Sequence, residues 1–433
     1  MNLWSMAGYS QNPYSVAPLP PTSEGADLLV GRDKELNKLL VQLRSMTTHP
    51  TIEGENGVGK TSLVLVAGYK AEVDFVAGKT QQLFLPLPEP LQIAADAASF
   101  ERSVSFSILQ AYLKHAATLD ERGYFVPDLE DVRRWIASPL IQGGGGGASV
   151  MGFGANATVS LAANTSVGYA ESGLRSQLVE WLKKTFPNIG SGAFIGIVDN
   201  LEILERSNEA RRVLEAIRDG ALNLPGTRWV LCGAKGIVRS AASTPRLAGR
   251  ISSPIELKPV SEDLVPELLR RRLAHFSEKP DAAPPVDPEA FNKLYRVSNK
   301  NLRTALKHAE DFAVWLFQEE KLSAPAAEKQ VLLANWISEV ADEFVRDANL
   351  QDAQWKLFDR VTEEGGSIAP GDYEQFGYNS SQAMRFHVGR LERANLVDSV
   401  IDEEDLRRRT ISITPIGWLV RHRRSMFQNS KPE

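Results

Sequence analysis

The sequence is poor in cysteine, in long apolar runs and in net charge, and each shortage narrows the possible functions. Its single cysteine, Cys232, has no partner for an internal disulfide bond, which fits the reducing cytosol. No run of 18 or more apolar residues occurs, so we expect no transmembrane helix, and the N-terminus lacks a signal-peptide pattern. The net charge is −5, so a nucleic-acid surface would have to be a local basic patch. We therefore expect a soluble, cytoplasmic protein without a membrane partner.

What the sequence does contain is an ordinary globular composition with one unusual stretch. Its 433 residues, 43% of them hydrophobic, are enough for two or three domains with cores of their own. Residues Ile141–Gly173 read IQGGGGGASVMGFGANATVSLAANTSVGYAESG, mostly small and uncharged. Such a stretch could be a linker, a phosphate-binding loop or an inserted working element. Its position relative to the chemical motifs decides between them.

The stretch GENGVGKT, residues 54–61, fits the Walker A pattern G-x-x-x-x-G-K-[ST]. Glycines let backbone N–H groups turn toward phosphates, because no side chain blocks the approach. Lys60 would bring positive charge to the β- and γ-phosphates, and the Thr61 hydroxyl would ligate Mg²⁺. A strand in HPTIEG before the loop and a buried helix over Ser62–Tyr69 after it complete the expected context. We therefore predict a site for ATP and Mg²⁺ whose nucleotide contacts come from Gly54, Glu55, Asn56, Gly57, Val58, Gly59, Lys60, Thr61 and Ser62.

A second motif supplies the other half of such a site. The run Phe194–Val198 is apolar and ends in Asp199. It matches a Walker B strand, whose aspartate holds Mg²⁺ at the end of a central strand. Thr61 and Asp199 are therefore the predicted metal-binding residues.

Together with Leu28–Leu43, a loop that enters an amphipathic helix, these motifs resemble the AAA+ class of P-loop ATPases over residues 28–320. The pattern is most similar to the replication-initiator (origin-recognition) clade and its bacterial relatives. The resemblance implies an α/β core with a parallel sheet, a helical lid and a C-terminal winged helix-turn-helix. It also implies that Gly31 and Arg32 belong to the element that packs against the adenine.

The chain departs from this class at the residues that promote hydrolysis. Many AAA+ proteins carry a glutamate directly after the Walker B aspartate, whereas this chain has Asn200. An amide can orient a water molecule but cannot accept its proton. Either Glu202 acts as the base, or Glu202 is a solvated residue at a helix start and hydrolysis is slow. The strand Thr227–Gly236 stands where sensor 1 is found, and Lys235 is its one possible polar candidate there.

Two arginines resemble residues that contact the γ-phosphate in AAA+ proteins. Arg250, with Arg246 as second choice, stands where an arginine finger would reach the neighbouring subunit of a homo-oligomer. The alternative is a surface arginine beside a turn. The segment Ser298–Phe317 resembles the sensor 2 helix, often written G-N-x-R, with Arg303 as its arginine and Lys300 in place of the glycine.

The C-terminal part resembles a winged helix-turn-helix and could contact DNA or a protein. Its third predicted helix begins near Asn379 and carries Ser380, Ser381, Gln382, Arg385, Arg390 and Arg393. Hydroxyls, amides and arginines suit base edges or phosphates. The wing is bordered by Arg407, Arg408 and Arg409, yet its tip carries Asp402, Glu403, Glu404 and Asp405, which duplex DNA would repel.

The predicted organisation has four parts: an extended N-terminal segment over 1–27, an ATPase core over 28–258, a helical lid over 259–329 that ends in the soft linker KLSAPAAEK at 321–329, and a winged helix over 330–433. Ile141–Gly173 lies between the two Walker motifs, so it is an insert in the core and not a linker between domains. In related ATPases such inserts contact DNA in a central channel; the alternatives are a passive loop, or a hairpin that touches a partner or a membrane.

Two functions remain open at this point. The first is an oligomeric ATPase switch that acts on DNA as initiator, loader or target selector. The second is a signalling ATPase of the kind used in bacterial phage defence, whose winged helix binds a separate effector protein. Asn200 and the unmatched sensor 1 favour the second, because a switch needs binding and slow release more than turnover.

Overall fold

The computed structural model describes residues 2–45, 47–92, 97–137, 171–199, 201, 217–234, 249–279, 282–368, 370–401 and 409–428. They form two compact units. The core unit comprises Pro18–Glu55 and Lys60–Leu257, and the lid unit comprises Met1–Ala17, Asn56–Gly59 and Lys258–Glu433. Several predicted features lie outside the described residues: Asn200, Glu202, Lys235, Arg246, the insert up to residue 170, the acidic wing tip, Arg407 and Arg408.

The core unit is built on a parallel sheet. Its strands are β1 (Thr51–Glu53), β2 (Leu83–Pro86), β3 (Leu91–Gln92), β4 (Gly192–Asp199), β5 (Thr227–Gly233) and β6 (Ile255–Glu256). The order is β2-β4-β5-β1-β6, with β3 also paired to β4, and every pair is parallel. Strands β4 and β5 are buried almost throughout, which explains why they read as continuous apolar runs and not as alternating patterns.

Helices complete the core unit. They are α2 (Ser23–Leu28), α3 (Asp33–Ser45), α4 (Lys60–Val76), α5 (Ala97–Glu121), α6 (Leu129–Ala137) and α7 (Glu171–Thr185). Position 196 in the sheet requires glycine, because a Cβ there would lie 2.2 Å from the buried ring of Trp229. Glycine at this position of β4 therefore makes room for the tryptophan of β5.

The lid unit is mainly helical. Its helices are α1 (Leu3–Met6), α8 (Val265–Phe276), α9 (Pro288–Val297), α10 (Leu302–Gln318), α11 (Ala326–Ala348), α12 (Asp352–Glu363), α13 (Ser381–Arg393) and α14 (Pro415–Gln428). A three-stranded antiparallel sheet follows α12, with β7 (Ser367–Ile368), β8 (Val397–Ile401) and β9 (Arg409–Ile413) in the order β7-β9-β8. Helix α12, a short 3₁₀ turn at Pro370–Asp372, helix α13 and the β8–β9 strand pair thus follow one another along the chain.

The N-terminal segment differs from the extended conformation expected over residues 1–27. It contains α1 and α2, because the Asn2 and Thr22 side chains accept hydrogen bonds from the backbone N–H groups of Trp4 and Gly25 and cap the two helices. After α1, the chain up to Ala17 belongs to the lid unit. The buried Tyr14 hydroxyl donates to the Val286 carbonyl at 2.7 Å.

The linker also differs from expectation. Residues 321–329 were expected to lack regular structure, whereas α11 already begins at Ala326, directly after Pro325. Proline fixes φ near the helical value and is favourable at a helix start, so the sequence KLSAPAAEK opens a helix instead of continuing a linker.

The predicted fold class is confirmed: an α/β P-loop core with a parallel sheet precedes a helical lid. Among the described helices none is both long enough and apolar enough to span a bilayer.

Candidate nucleotide-binding site

The phosphate-loop candidate connects β1 to α4, as its motif requires. Strand β1 ends at Glu53 and α4 begins at Lys60. Gly57 and Gly59 have φ of 81° and 100°, a left-handed conformation that residues with a Cβ rarely adopt. The two glycines therefore allow the backbone turn from which N–H groups can face an anion, at the N-terminal end of a 17-residue helix.

Lys60 is held against the loop that precedes it. Its Nζ donates to the Gly54 carbonyl at 2.8 Å and to the Glu55 carbonyl at 3.2 Å, and the residue is 7% exposed. Both acceptors are neutral, and Lys60 forms no ion pair within the described residues. A buried ammonium group without a counter-charge favours an anion beside it.

Thr61 and Asp199, the two predicted metal ligands, are in direct contact. The Thr61 hydroxyl donates to Asp199 Oδ2 at 2.8 Å. The sheet explains this pairing, since β5 alone separates β1 from β4, and the ends of these parallel strands meet at one edge. A hydroxyl and a carboxylate are hard oxygen ligands of the kind that Mg²⁺ prefers, so the pair fits this ion.

Three other residues that the sequence predicts to contact the nucleotide also lie in the core unit. Ser62 lies in the first turn of α4, where its Oγ accepts a hydrogen bond from Leu19 N at 3.1 Å. Gly31 has φ of 71°, and Arg32 is buried near Glu35, with the charged atoms 4.0 Å apart. Contact of Gly31, Arg32 or Ser62 with a nucleotide stays a prediction.

The described residues at the end of β5 include no charged or hydroxyl-bearing side chain that could serve as sensor 1. Cys232 is fully buried, and Gly233 and Ala234 follow it. Gly233 O instead accepts from Gly54 N at 3.2 Å and joins β5 to the loop.

Within the lid unit, the start of α10 touches residues 56–59 of the phosphate loop. Asn301 Nδ2 donates to the Asn56 carbonyl at 2.8 Å. A Cβ at Gly57 would lie 2.7 Å from Asn301 Oδ1 and 2.8 Å from Arg303 Cβ. Arg303, the predicted sensor 2 residue, is thus beside the loop. No role for Asn301 was predicted from the sequence, although it stands at the asparagine of G-N-x-R and just before an apolar helix, which is a capping signal.

The structure corrects the predicted start of this helix. It begins at Leu302 and not at Ser298, because Asn299 and Lys300 have φ of 51° and 59° and Asn301 caps the helix by accepting from Thr304 N. Lys300 therefore adopts a left-handed conformation that a glycine would adopt without steric cost. The Lys300 ammonium group lies 2.9 Å from Glu262.

Arg250, the predicted finger, is exposed and follows a backbone turn in the core unit. Its carbonyl accepts from His49 N at 2.8 Å. The His49 ring is itself fixed, since Nε2 lies 3.0 Å from the Leu222 carbonyl and Nδ1 accepts from Trp229 N at 3.1 Å. Burial lowers the pKa of His49 to about 4, so the ring is neutral at pH 7. His49 therefore positions the Arg250 backbone, a role that no sequence signal indicated.

One face of α13 carries the predicted nucleic-acid contacts. Gln382, Arg385, Arg390 and Arg393 are exposed and recur at helical spacing. Phe386 lies among them with 59% exposure, and Arg390 stacks on its ring at 5.5 Å. Ser380 caps the helix by accepting from Ala383 N, so its hydroxyl oxygen is already engaged.

Comparisons with known proteins find solved structures similar over nearly the whole chain. Aeropyrum pernix ORC1 in complex with DNA is 13% identical and covers 97% of this chain and 98% of its own, with a TM-score of 0.46. Aeropyrum pernix ORC2 in ADPNP-ADP complexes is 13% identical, with 98% and 100% covered and a TM-score of 0.48. Drosophila ORC bound to DNA is 14% identical, with 97% and 92% covered and a TM-score of 0.39. No family model and no curated protein matches the sequence.

Proposed function

We propose that this protein binds ATP with Mg²⁺, hydrolyses it slowly, and uses the nucleotide to switch an oligomer that acts on DNA. The observation that carries the proposal is the Thr61–Asp199 contact next to the buried Lys60, whose two acceptors are neutral carbonyls. Lys60 would bind the β- and γ-phosphates in place of its two carbonyl acceptors, and Thr61 and Asp199 would hold Mg²⁺. The ion would neutralise charge that develops on the phosphates.

Slow hydrolysis is proposed from what surrounds the phosphate site. Asp199 accepts a hydrogen bond from Thr61 and in this proposal would hold Mg²⁺ instead of activating the attacking water. Asn200 could orient that water but not deprotonate it, and Glu202 stays the candidate base. We propose turnover below the enzyme median of about 10 s⁻¹.

The lid supplies the means of reading the nucleotide. Arg303 stands beside the loop, and Asn301 is bonded to its backbone. An arginine there would bind the γ-phosphate of ATP and lose that contact after hydrolysis. A contact that exists in only one nucleotide state is what a switch requires.

Removal of the Lys60 ammonium group tests the nucleotide site. Lys60→Ala should weaken ATP binding by about 10- to 100-fold, the worth of one or more charge-assisted hydrogen bonds, as measured by titration calorimetry. Lys70→Ala, farther along the same helix, is the matched control and should bind normally. Equal affinity in the two variants would refute the site.

DNA binding is proposed for the exposed face of α13. Arg385→Ala combined with Arg390→Ala should lower the slope of log affinity against log salt by about 2, because each phosphate contact contributes about 0.9. Arg133→Ala with Arg134→Ala on α6 removes two exposed arginines elsewhere. A slope that falls equally in both pairs would point to non-specific charge.

A second function has one observation in its favour. Phe386 is a large apolar side chain in the middle of the arginine face, and such side chains are enriched in protein interfaces. In that case α13 would bind an effector protein, and the chain would be a signalling ATPase. Phe386→Ala should then abolish effector binding, whereas DNA affinity without any salt dependence would remove the first function.

A further inference from the structure

The lid unit contains a cavity of about 520 Å³ that the nucleotide site does not use. Its walls come from α9, α11 and α14, and no residue of Asn56–Gly59 is among them. The volume is within the range of about 300–1,000 Å³ that is typical of small-molecule sites.

The floor of the cavity is apolar. Leu294, Leu333 and Ile337 are buried there, and the Trp418 ring forms part of the wall. Ala334 is exposed on the α11 side of the cavity. An apolar group of a ligand would displace water from this floor, which is favourable in proportion to the area covered.

The charged groups in the walls are all cationic. Lys293 and Arg421 contribute to the walls, and neither forms an ion pair within the part of the chain that the structure describes. Arg296 is also present, but its Nε lies 2.7 Å from Glu262, a carboxylate that it shares with Lys300. Burial lowers the pKa of His422, so this ring is uncharged at pH 7. No aspartate or glutamate belongs to the walls.

We propose that this cavity binds a small amphipathic anion, an apolar chain or ring that carries one carboxylate, sulfate or phosphate group. The apolar body would cover Leu333, Ile337 and Trp418, and the anionic group would face Lys293 and Arg421. The proposal does not depend on the nucleotide site, since the two share no residue.

Titration of the full-length chain with decanoate tests the proposal. We expect saturable binding of one decanoate per chain by calorimetry. Decanol and decyltrimethylammonium, which share the chain but not the charge, should bind about tenfold more weakly or worse, as expected from the loss of exposed ion pairs. In protein labelled with 5-fluorotryptophan, the Trp418 resonance, assigned with Trp418→Phe, should shift on addition of decanoate.

Variants distinguish the apolar and charged parts of the cavity. Ala334→Trp fills it from an exposed position and should abolish binding. Lys293→Gln with Arg421→Gln should weaken decanoate about tenfold and leave decanol unchanged. Lys38→Gln with Lys183→Gln, two exposed lysines of the core unit, is the matched control and should have no effect.

Three results would overturn the proposal, provided that thermal unfolding shows each variant to be folded. The first is decanoate binding that survives both Ala334→Trp and the charge-removing pair. The second is equal affinity for decanoate and decanol. The third is no saturable binding of either decanoate or the aromatic anion naphthalene-2-sulfonate at millimolar concentration.

Discussion

Asn301 connects the lid helix to the phosphate loop through a single side chain. Its Oδ1 accepts from Thr304 N, which caps α10, and its Nδ2 donates to the Asn56 carbonyl. The two bonds can be separated by mutation, because serine is also a good capping residue but has no amide to reach the loop.

We expect Asn301→Ser to weaken ATP binding by up to about tenfold, the worth of one hydrogen bond, with little change in the free energy of unfolding. Asn301→Ala should lose the cap as well and destabilise the protein by about 1 kcal/mol. Calorimetric ATP titration and urea unfolding measure the two effects. If Asn301→Ser binds ATP like the wild type, Asn301 is a cap only.

At the same scale, two buried histidines make stability depend on pH. Burial lowers the pKa of His49 and of His308 to about 4 from an ordinary value of 6.5. A group whose pKa is depressed in the folded state binds fewer protons there than in the unfolded chain. Its contribution is therefore complete above pH 6.5 and is lost as the pH falls from 6.5 toward 4.

We expect the free energy of unfolding to drop as the pH falls from 6.5 to 4.5, with each histidine contributing a slope of about 1.4 kcal/mol per pH unit. His49→Gln should remove one such contribution and so flatten the profile. Urea unfolding at pH 6.5, 5.5 and 4.5 measures the slopes. His275→Gln, which replaces an exposed histidine of α8, serves as the comparison, and a profile that His49→Gln leaves unchanged contradicts the assignment.

At the scale of elements, the glycine-rich insert lies between two helices of the core unit, where it can be deleted. Helix α6 ends at Ala137 before it, and α7 begins at Glu171, within its last three residues. Most of the insert lies outside the described residues, so its role rests on the sequence. No Walker motif residue lies within it, and it has few large apolar side chains to anchor a core.

We expect deletion of Gly143–Tyr169, bridged by a short turn, to preserve folding and ATP affinity. Stimulation of the ATPase by DNA or by a partner should fall several-fold. A glycine-rich segment loses much conformational entropy when it becomes ordered, so its presence is best explained if it becomes ordered on contact with DNA or a partner. Stimulated rates are compared at equal assembly. Full stimulation in the deletion variant would make the insert a passive loop.

Elements also show what the sequence could and could not predict. The phosphate loop, β4 and β5 were predicted because each is a continuous run whose residue types suffice. The Asn301–Asn56 bond joins positions 245 residues apart, and His49 acts on Arg250 across 201 positions, so no local pattern marks either. The helix start at Leu302 was missed because Asn299 and Lys300 adopt a left-handed backbone conformation. Their residue types do not indicate this conformation in the sequence as a glycine would.

At the scale of the whole molecule, the proposed arginine finger implies that ATPase activity requires assembly. Arg250 would act on the ATP that is bound to the neighbouring subunit. Arg250→Ala should retain ATP binding but lose about 10³-fold or more in the rate of the assembled protein, the worth of an arginine finger. When it is mixed with Lys60→Ala protein, some interfaces should combine an intact loop with an intact Arg250. Activity of the mixture should then exceed that of either variant alone.

The control is a mixture of Lys60→Ala with a Lys60→Ala/Arg250→Ala double variant, in which no complete site can form. Steady-state ATPase rates at several mixing ratios give the comparison. If every ratio gives only the weighted mean of the two variants, the site is not shared between subunits.

Helix α14 is anchored by charged side chains to two other helices of the lid unit. Arg423 and Arg424 each bind a carboxylate through two nitrogens, Asp342 of α11 and Asp359 of α12, and Arg424 also stacks on Trp355 at 4.3 Å. A helix with few contacts opens locally, whereas a helix that is fixed to two neighbours opens only when they do. The amides of α14 should therefore exchange together with those of α11 and α12, as one cooperative unit that unfolds as a whole.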